Sequence, residues 1–333
     1  MTALMREPLR SARGMKPTWQ TRPVTTDTWT HADFPESTAG VPGMRVVDGR
    51  PCSRNVHVHL GLRYAAKDGR ALHLVVAQPS LDWATGAPAA IAAERFPLVV
   101  FVQGSGWGEQ SLGANLEPLA SFARRGFVVA IVEHRQASLA RFPAQIADTL
   151  TATRWLVDHA GDFGIDPDKV ALWGDSSGGH TVVMAALTGG DPDFTDEPER
   201  PPVNVSAVVD FYGPVALDRM DDEPTTVTHD APGSPETTLL GVQSLAETPD
   251  RVAQADPRTH LRPDRSVPPV LVVHGTKDRS VPFAQSVLLV EGLRAAGRQV
   301  EAVQVRGGGH GGPSVWTPQV LDIVDDFLRQ HLS

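Results

Sequence analysis

Apolar positions recur along this chain in two rhythms. Val56-His57-Val58-His59-Leu60-Gly61-Leu62-Arg63-Tyr64 alternates apolar with polar, the period of a half-buried strand. The turn signal Lys67-Asp68-Gly69-Arg70 follows, and then the apolar run 71–77, so the pair predicts a β-hairpin. His57 and His59 then share one strand face, with His73 nearby. Exposed hairpin histidines account for them more simply than a metal site does. Further on, the apolar runs are near-continuous at 97–102, 127–132 and 170–173, and 205–209, 270–273 and 300–305 are short Val-rich strands. Between them lie stretches that read as helices, at 116–125, 144–159, 181–187, 284–296 and 320–331. Strands with no polar face, alternating with helices, predict an α/β fold: a mostly parallel sheet covered on both sides.

Two regions break this rhythm. Residues 1–54, above all the first 40, are rich in Thr, Pro and Arg and show no period. They are expected to form an extended arm before a domain spanning 55–331. Residues 213–269 are polar, proline-rich and weakly periodic, too long for an ordinary connection. Such insertions are usually lids or binding loops, so a lid or cap is expected there. Its acidic residues Asp218, Asp221, Asp222 and Glu223 are expected to be solvated.

Composition narrows the function. The net charge is −9 and there is no basic block, which argues against a nucleic-acid partner. No apolar run approaches the ~18 residues of a membrane span. The stretch 1–17 carries Arg and Lys but no apolar core, so it does not resemble a signal peptide, and a cytoplasmic location is expected. The single cysteine, Cys52, excludes an internal disulfide and a cysteine-rich metal site. A homo-oligomer stays open.

The chemistry begins at Gly174-Asp175-Ser176-Ser177-Gly178-Gly179-His180, between an apolar strand and an apolar helix. Strand, Gly-x-Ser-x-Gly, helix is the pattern of a nucleophile elbow, a sharp turn that lifts a serine hydroxyl clear of the backbone. Of the two serines, Ser176 has glycine two residues away on each side, where a side chain would crowd the turn. With Ser177, Asp175 would stand in that place. A phosphate loop would need a different glycine spacing or a following lysine. A serine hydroxyl also needs a base, and the base needs a carboxylate. On such a sheet they follow in the order Ser, Asp, His. Asp278 lies on a loop just after the run 270–273, at the edge where ligands gather in open α/β sheets. His310 lies after the run 300–305, within five glycines, a setting shared by none of the other eleven of the twelve histidines. The loop Gln103-Gly104-Ser105-Gly106-Trp107 and the amide of Ser177 are expected to offer N–H donors to an oxyanion.

These segments, with Ile165-Asp166-Pro167-Asp168-Lys169-Val170, Phe142-Pro143-Ala144 through Asp148, and Asp210-Phe211-Tyr212-Gly213-Pro214, resemble the α/β-hydrolase superfamily. Within it they are similar to bacterial esterases related to the hormone-sensitive-lipase and feruloyl-esterase-like families. The resemblance covers about 55–331. It implies cofactor-free, serine-dependent hydrolysis of carboxylic esters with small or aromatic acyl groups. By position it implies Ser176 as nucleophile, Asp278 as acid, His310 as base, and the amides of Gly104, Ser105 and Ser177 as the oxyanion hole. The family's usual loop is His-Gly-Gly-Gly-Trp; here Gln103 and Ser105 depart from it, though each keeps its N–H. The same residues would also serve an acyl-peptide or amide hydrolase. A non-catalytic binding protein on this scaffold is the third reading, which loss of a triad residue would favour; none is lost.

Overall fold

The computed structural model describes residues 36–39, 41–46, 55–80 and 94–333. Residues 1–47 with 84–86 form one unit; of it, the described residues carry no helix or strand and turn at Pro42-Gly43. Most of the expected 1–54 arm lies outside the described residues. Residues 48–83 and 87–333 form the second unit, which holds everything below.

Its strands are β1 (Asn55–Lys67), β2 (Arg70–Ser80), β3 (Phe96–Val102), β4 (Val128–Val132), β5 (Ile165–Asp175), β6 (Ala207–Phe211), β7 (Val270–Gly275) and β8 (Val300–Val305). Its helices are α1 (Leu116–Ala123), α2 (Ala144–Asp158), α3 (Ala160–Phe163), α4 (Ser177–Thr188), α5 (Pro235–Leu240), α6 (Pro249–Ala255), α7 (Phe283–Ala295) and α8 (Pro318–His331). The strands form one sheet in the order β1-β2-β4-β3-β5-β6-β7-β8. β1 and β2 are the expected antiparallel hairpin, β2 meets β4 antiparallel, and the remaining pairs are parallel.

Alternate residues of the central strands feed two cores. Leu98, Val100 and Val102 face α2, α4 and α7, while Val99 and Phe101 face α1 and α8. Both faces of the central strands are therefore dry, which is why those strands read as apolar runs. β6 lies two residues later than the sequence suggested. Val203 and Val205 do pack on the core, but the ladder with β5 begins at Ala207. The three hairpin histidines do not form one cluster. The His57 and His59 rings lie 4.4 Å apart, tilted by 30°, whereas His73 stands opposite Arg63 and turns its Nδ1 toward Glu133.

Residues 213–269 are more ordered than their composition suggested. They hold 3₁₀ turns at Leu217–Asp222 and Pro257–His260 together with α5 and α6. Leu217, Leu239, Leu240, Leu245, Val252 and Ala255 form a small core, into which Trp107 inserts from the loop after β3. Helices of six or seven residues are too short to display a period. Three of the prolines that made the segment look irregular, Pro235, Pro249 and Pro257, sit at helix starts, where no N–H is needed. The acidic residues Asp218, Asp221, Asp222 and Glu223 are exposed, as expected.

Asp210, at the end of β6, is fully enclosed beneath the start of α4. Its Oδ1 accepts from the Gly213 amide at 3.0 Å, and its Oδ2 has no partner among the described residues. Burial pushes this carboxyl up to about 7, against the pull of the Gly213 N–H. The unfolded reference is ~3.9. Since the folded value is the higher one, the stabilising contribution is complete below ~4 and is lost as pH rises through about 7. Three units correspond to roughly 4 kcal/mol. Asp210→Asn keeps an acceptor for Gly213 and cannot ionise. Its melting temperature relative to wild type should therefore climb between pH 5 and pH 9. A difference that stays constant across that range would show that Asp210 ionises freely in the fold.

Candidate active site

Ser176 sits at the turn between β5 and α4 with φ 53° and ψ −128°, a conformation that side chains rarely adopt. The turn closes tightly. A Cβ on Gly178 would strike the Val102 carbonyl, and one on Gly174 would strike the Gly178 carbonyl. Ser177, by contrast, is the first residue of α4 and is buried. Its hydroxyl accepts from the Ser105 amide at 2.9 Å. The two serines are thus separated by geometry, and Ser176 alone presents its hydroxyl to the cavity.

His310 Nε2 lies 2.9 Å from Ser176 Oγ, and His310 Nδ1 lies 2.7 Å from Asp278 Oδ2. Asp278 has an inaccessible side chain and is saturated with donors. Ser280 and Val281 amides reach Oδ1 at 2.8 and 2.9 Å, and His274 Nε2 joins His310 at Oδ2, 3.2 Å away. Burial alone would raise this carboxyl. The hydrogen bonds from His274 and His310, the charge of His310 and the Ser280 amide outweigh it and hold Asp278 well below the usual carboxylate range. An ionised Asp278 only accepts, so Nδ1 of His310 carries the proton and Nε2 is left bare toward the serine. Sequence reading did not assign His274 a part. It is buried at the end of β7, and its Nδ1 accepts from Ser286 Oγ at 2.7 Å. Its place four residues before Asp278 was the available signal.

The oxyanion loop differs from expectation. The Gly104 amide donates to Asp175 Oδ1 at 2.7 Å, and the Ser105 amide is taken by Ser177 Oγ. Neither is free for an oxyanion here, because the side chains on both sides of the nucleophile clip the loop in place. Ser105 Oγ closes its own turn onto the Gly108 carbonyl at 3.0 Å. Gly106 lines the cavity with Ser176, and its amide has no acceptor among the described residues. The Ser177 amide, at the first position of α4, is likewise open.

The cavity holds about 580 Å³ and runs between the loop 104–106, residues 114–118 at the start of α1, Ser176, Tyr212 and the loop 310–316. None of residues 213–269 lines it. The segment expected as a lid instead packs behind the site. Pro235 abuts Gly106, and His180 of α4 meets the Ala255 carbonyl through Nε2 at 2.8 Å. Burial pushes His180 down to about 4, so its ring is neutral and Nε2 is the donor.

The sheet order, the strained serine and the Ser-His-Asp line define an α/β-hydrolase. The BD-FAE family profile matches residues 87–293, and the chain belongs to that family. Esterase LipC of Mycobacterium tuberculosis is 34% identical over 65% of this chain and 53% of its own length. The probable carboxylic ester hydrolase LipM of the same organism is 31% identical over 69% and 51%. The chain thus spans about half the length of these curated relatives. Among solved structures, a truncated carbohydrate esterase from gut microbiota is 27% identical, with a TM-score of 0.69, covering 85% of this chain and 99% of that one. The esterase Est2 of Thermogutta terrifontis, solved with propionate bound, is 27% identical with a TM-score of 0.61, covering 84% and 94%. Among the described residues no helix is long and apolar enough to cross a membrane.

Proposed function

We propose that this protein hydrolyses carboxylic esters of small or aromatic acids through an acyl-enzyme on Ser176. The observation that carries the reading is the hydrogen-bonded line Ser176 Oγ, His310, Asp278. His310 Nε2 takes the Ser176 proton as Oγ attacks the carbonyl carbon. Asp278 steadies the imidazolium that forms. The oxyanion is received by the amides of Gly106 and Ser177, which have no acceptor among the described residues. His310 then protonates the departing alcohol, and a water attacks the acyl-enzyme with His310 again as base. No cofactor enters these steps.

Substrate choice is assigned to residues 114–118 and 310–316, since these line the cavity and 213–269 does not. A cavity of about 580 Å³ has room for a short or single-ring acyl group. Glu117 is the exposed ionisable side chain at its α1 edge, and among the described residues no Lys or Arg lines it. The mouth should therefore favour esters of cationic alcohols over anionic ones.

The test is a panel of p-nitrophenyl esters from acetate to octanoate and benzoate, with matched 4-nitroanilides, followed by a choline thioester against its uncharged isostere. Turnover should be highest for the short and aromatic esters and weak for octanoate and the anilides. The cationic thioester should be favoured a few-fold, less so in high salt, and the preference should vanish in Glu117→Gln. Absence of ester turnover would overturn the reading. Anilides turned over as fast as esters would make it an amidase.

A further inference from the structure

Tyr212 is unusual on three counts. It is a bulky residue held at φ +44°, it is almost wholly buried, and its hydroxyl is used in both directions. The Tyr212 hydroxyl donates to Asp175 Oδ2 at 3.1 Å and accepts from Trp316 Nε1 at 3.1 Å. Its ring meets the His310 ring edge to face, with centroids 4.9 Å apart and planes at 60°. The next residue, Gly311, passes so close that a Cβ there would lie 2.6 Å from the tyrosine oxygen. A non-glycine residue keeps such a backbone only where its surroundings over-determine it, and such residues cluster at functional sites.

We propose that Tyr212 is a positioning residue: it sets the His310 ring against Ser176 and, through Asp175, links the loop that carries the base to the loop that receives the oxyanion. Asp278 fixes which nitrogen of His310 is protonated, but a hydrogen bond at Nδ1 leaves the ring free to tilt about that bond. The Tyr212 ring occupies the space into which it would tilt. The hydroxyl does the second task. Asp175 has two oxygens; one takes Tyr212 and the other takes the Gly104 amide at 2.7 Å. The path Trp316, Tyr212, Asp175, Gly104 thereby joins four segments that are distant in sequence: the loop after β8, the end of β6, the elbow and the loop after β3. Asp175 is deeply placed. Burial raises its carboxyl, while the Gly104 amide, the Tyr212 hydroxyl and the charge of His310 work to keep it ionised. If Tyr212 were packing alone, phenylalanine would serve as well, and Trp316 Nε1 and Asp175 Oδ2 would need no common partner.

The inference rests on the serine-esterase reading. Its test is a kinetic cycle of Tyr212→Phe, Asp175→Asn and the double variant, with kcat, KM and the melting temperature of each. Tyr212→Phe keeps the ring and loses only the hydroxyl. It should lower kcat about 10- to 100-fold with KM within about twofold, since the contact aligns groups and does not hold substrate. The double variant should be no slower than the slower single one, because both remove the same link. Wild-type kcat in Tyr212→Phe, a change confined to KM, or losses that multiply in the double variant would each overturn the proposal. Should Tyr212→Phe fail to melt cooperatively, Trp316→Phe decides. It removes the other partner of the hydroxyl, and unchanged kcat there would also overturn it. An inactive wild-type enzyme would instead sink the esterase reading, so the two failures are distinguishable.

Discussion

Ser176→Ala should reduce ester turnover by about 10⁴-fold or more, with the melting temperature within a few degrees of wild type. The substitution removes one oxygen from a residue whose backbone conformation is already strained, and alanine meets that strain no worse than serine. The oxygen removed is the one that faces His310 Nε2 at 2.9 Å. The neighbouring hydroxyl cannot replace it. Ser177 Oγ is buried in α4 and is occupied by the Ser105 amide. Kinetics on the best ester of the panel, with thermal melts alongside, check both halves. Activity within tenfold of wild type in the alanine variant would place the nucleophile elsewhere.

His310→Ala should be as damaging, and the double variant Ser176→Ala/His310→Ala should be no worse than either alone, because the members of such a unit act together. Asp278→Asn should cost on the order of 10³–10⁴ in kcat. An asparagine can turn its NH₂ toward His310 Nδ1, which favours the tautomer with the proton on Nε2, and that nitrogen then cannot accept from Ser176. The same change withdraws the charge that His274 Nε2 meets at 3.2 Å. Asp278→Asn should therefore also lower stability. The sign is fixed by the carboxyl's depressed value. Its stabilising contribution is present above the unfolded ~3.9 and fades only as pH falls below that point. The stability gap between wild type and Asp278→Asn should accordingly narrow below about pH 4. Stability curves for the two proteins check it, and a gap unchanged at low pH would mean the charge is not what His274 senses.

The central sheet was legible because strands buried on both faces write themselves as continuous apolar runs. Ser176, Asp278 and His310 were legible because topology constrains their order and places each just after a strand. The oxyanion donors were not. Spacing shows which residues form the loop after β3, but not where each N–H points, and Asp175 and Ser177 claim the amides of Gly104 and Ser105 by side-chain hydrogen bonds. Residues 213–269 were misjudged for a different reason. Their short, proline-started helices carry too few residues for a period to emerge, and their small core closes only around Trp107, more than a hundred residues earlier. Tyr212 lay in a segment that carried the family resemblance, yet a left-handed backbone angle and a shared hydroxyl leave no mark in composition or spacing.

A single oxygen, Ser176 Oγ, should attack the substrate. Reaction with diethyl 4-nitrophenyl phosphate, followed by peptide mass spectrometry, tests it most directly, because the phosphoryl adduct survives digestion. One equivalent of 4-nitrophenolate should be released per chain, with a diethylphosphoryl group on Ser176 and no adduct in Ser176→Ala. An adduct on Ser177 or on any other residue, or loss of activity with Ser176 unmodified, would contradict it.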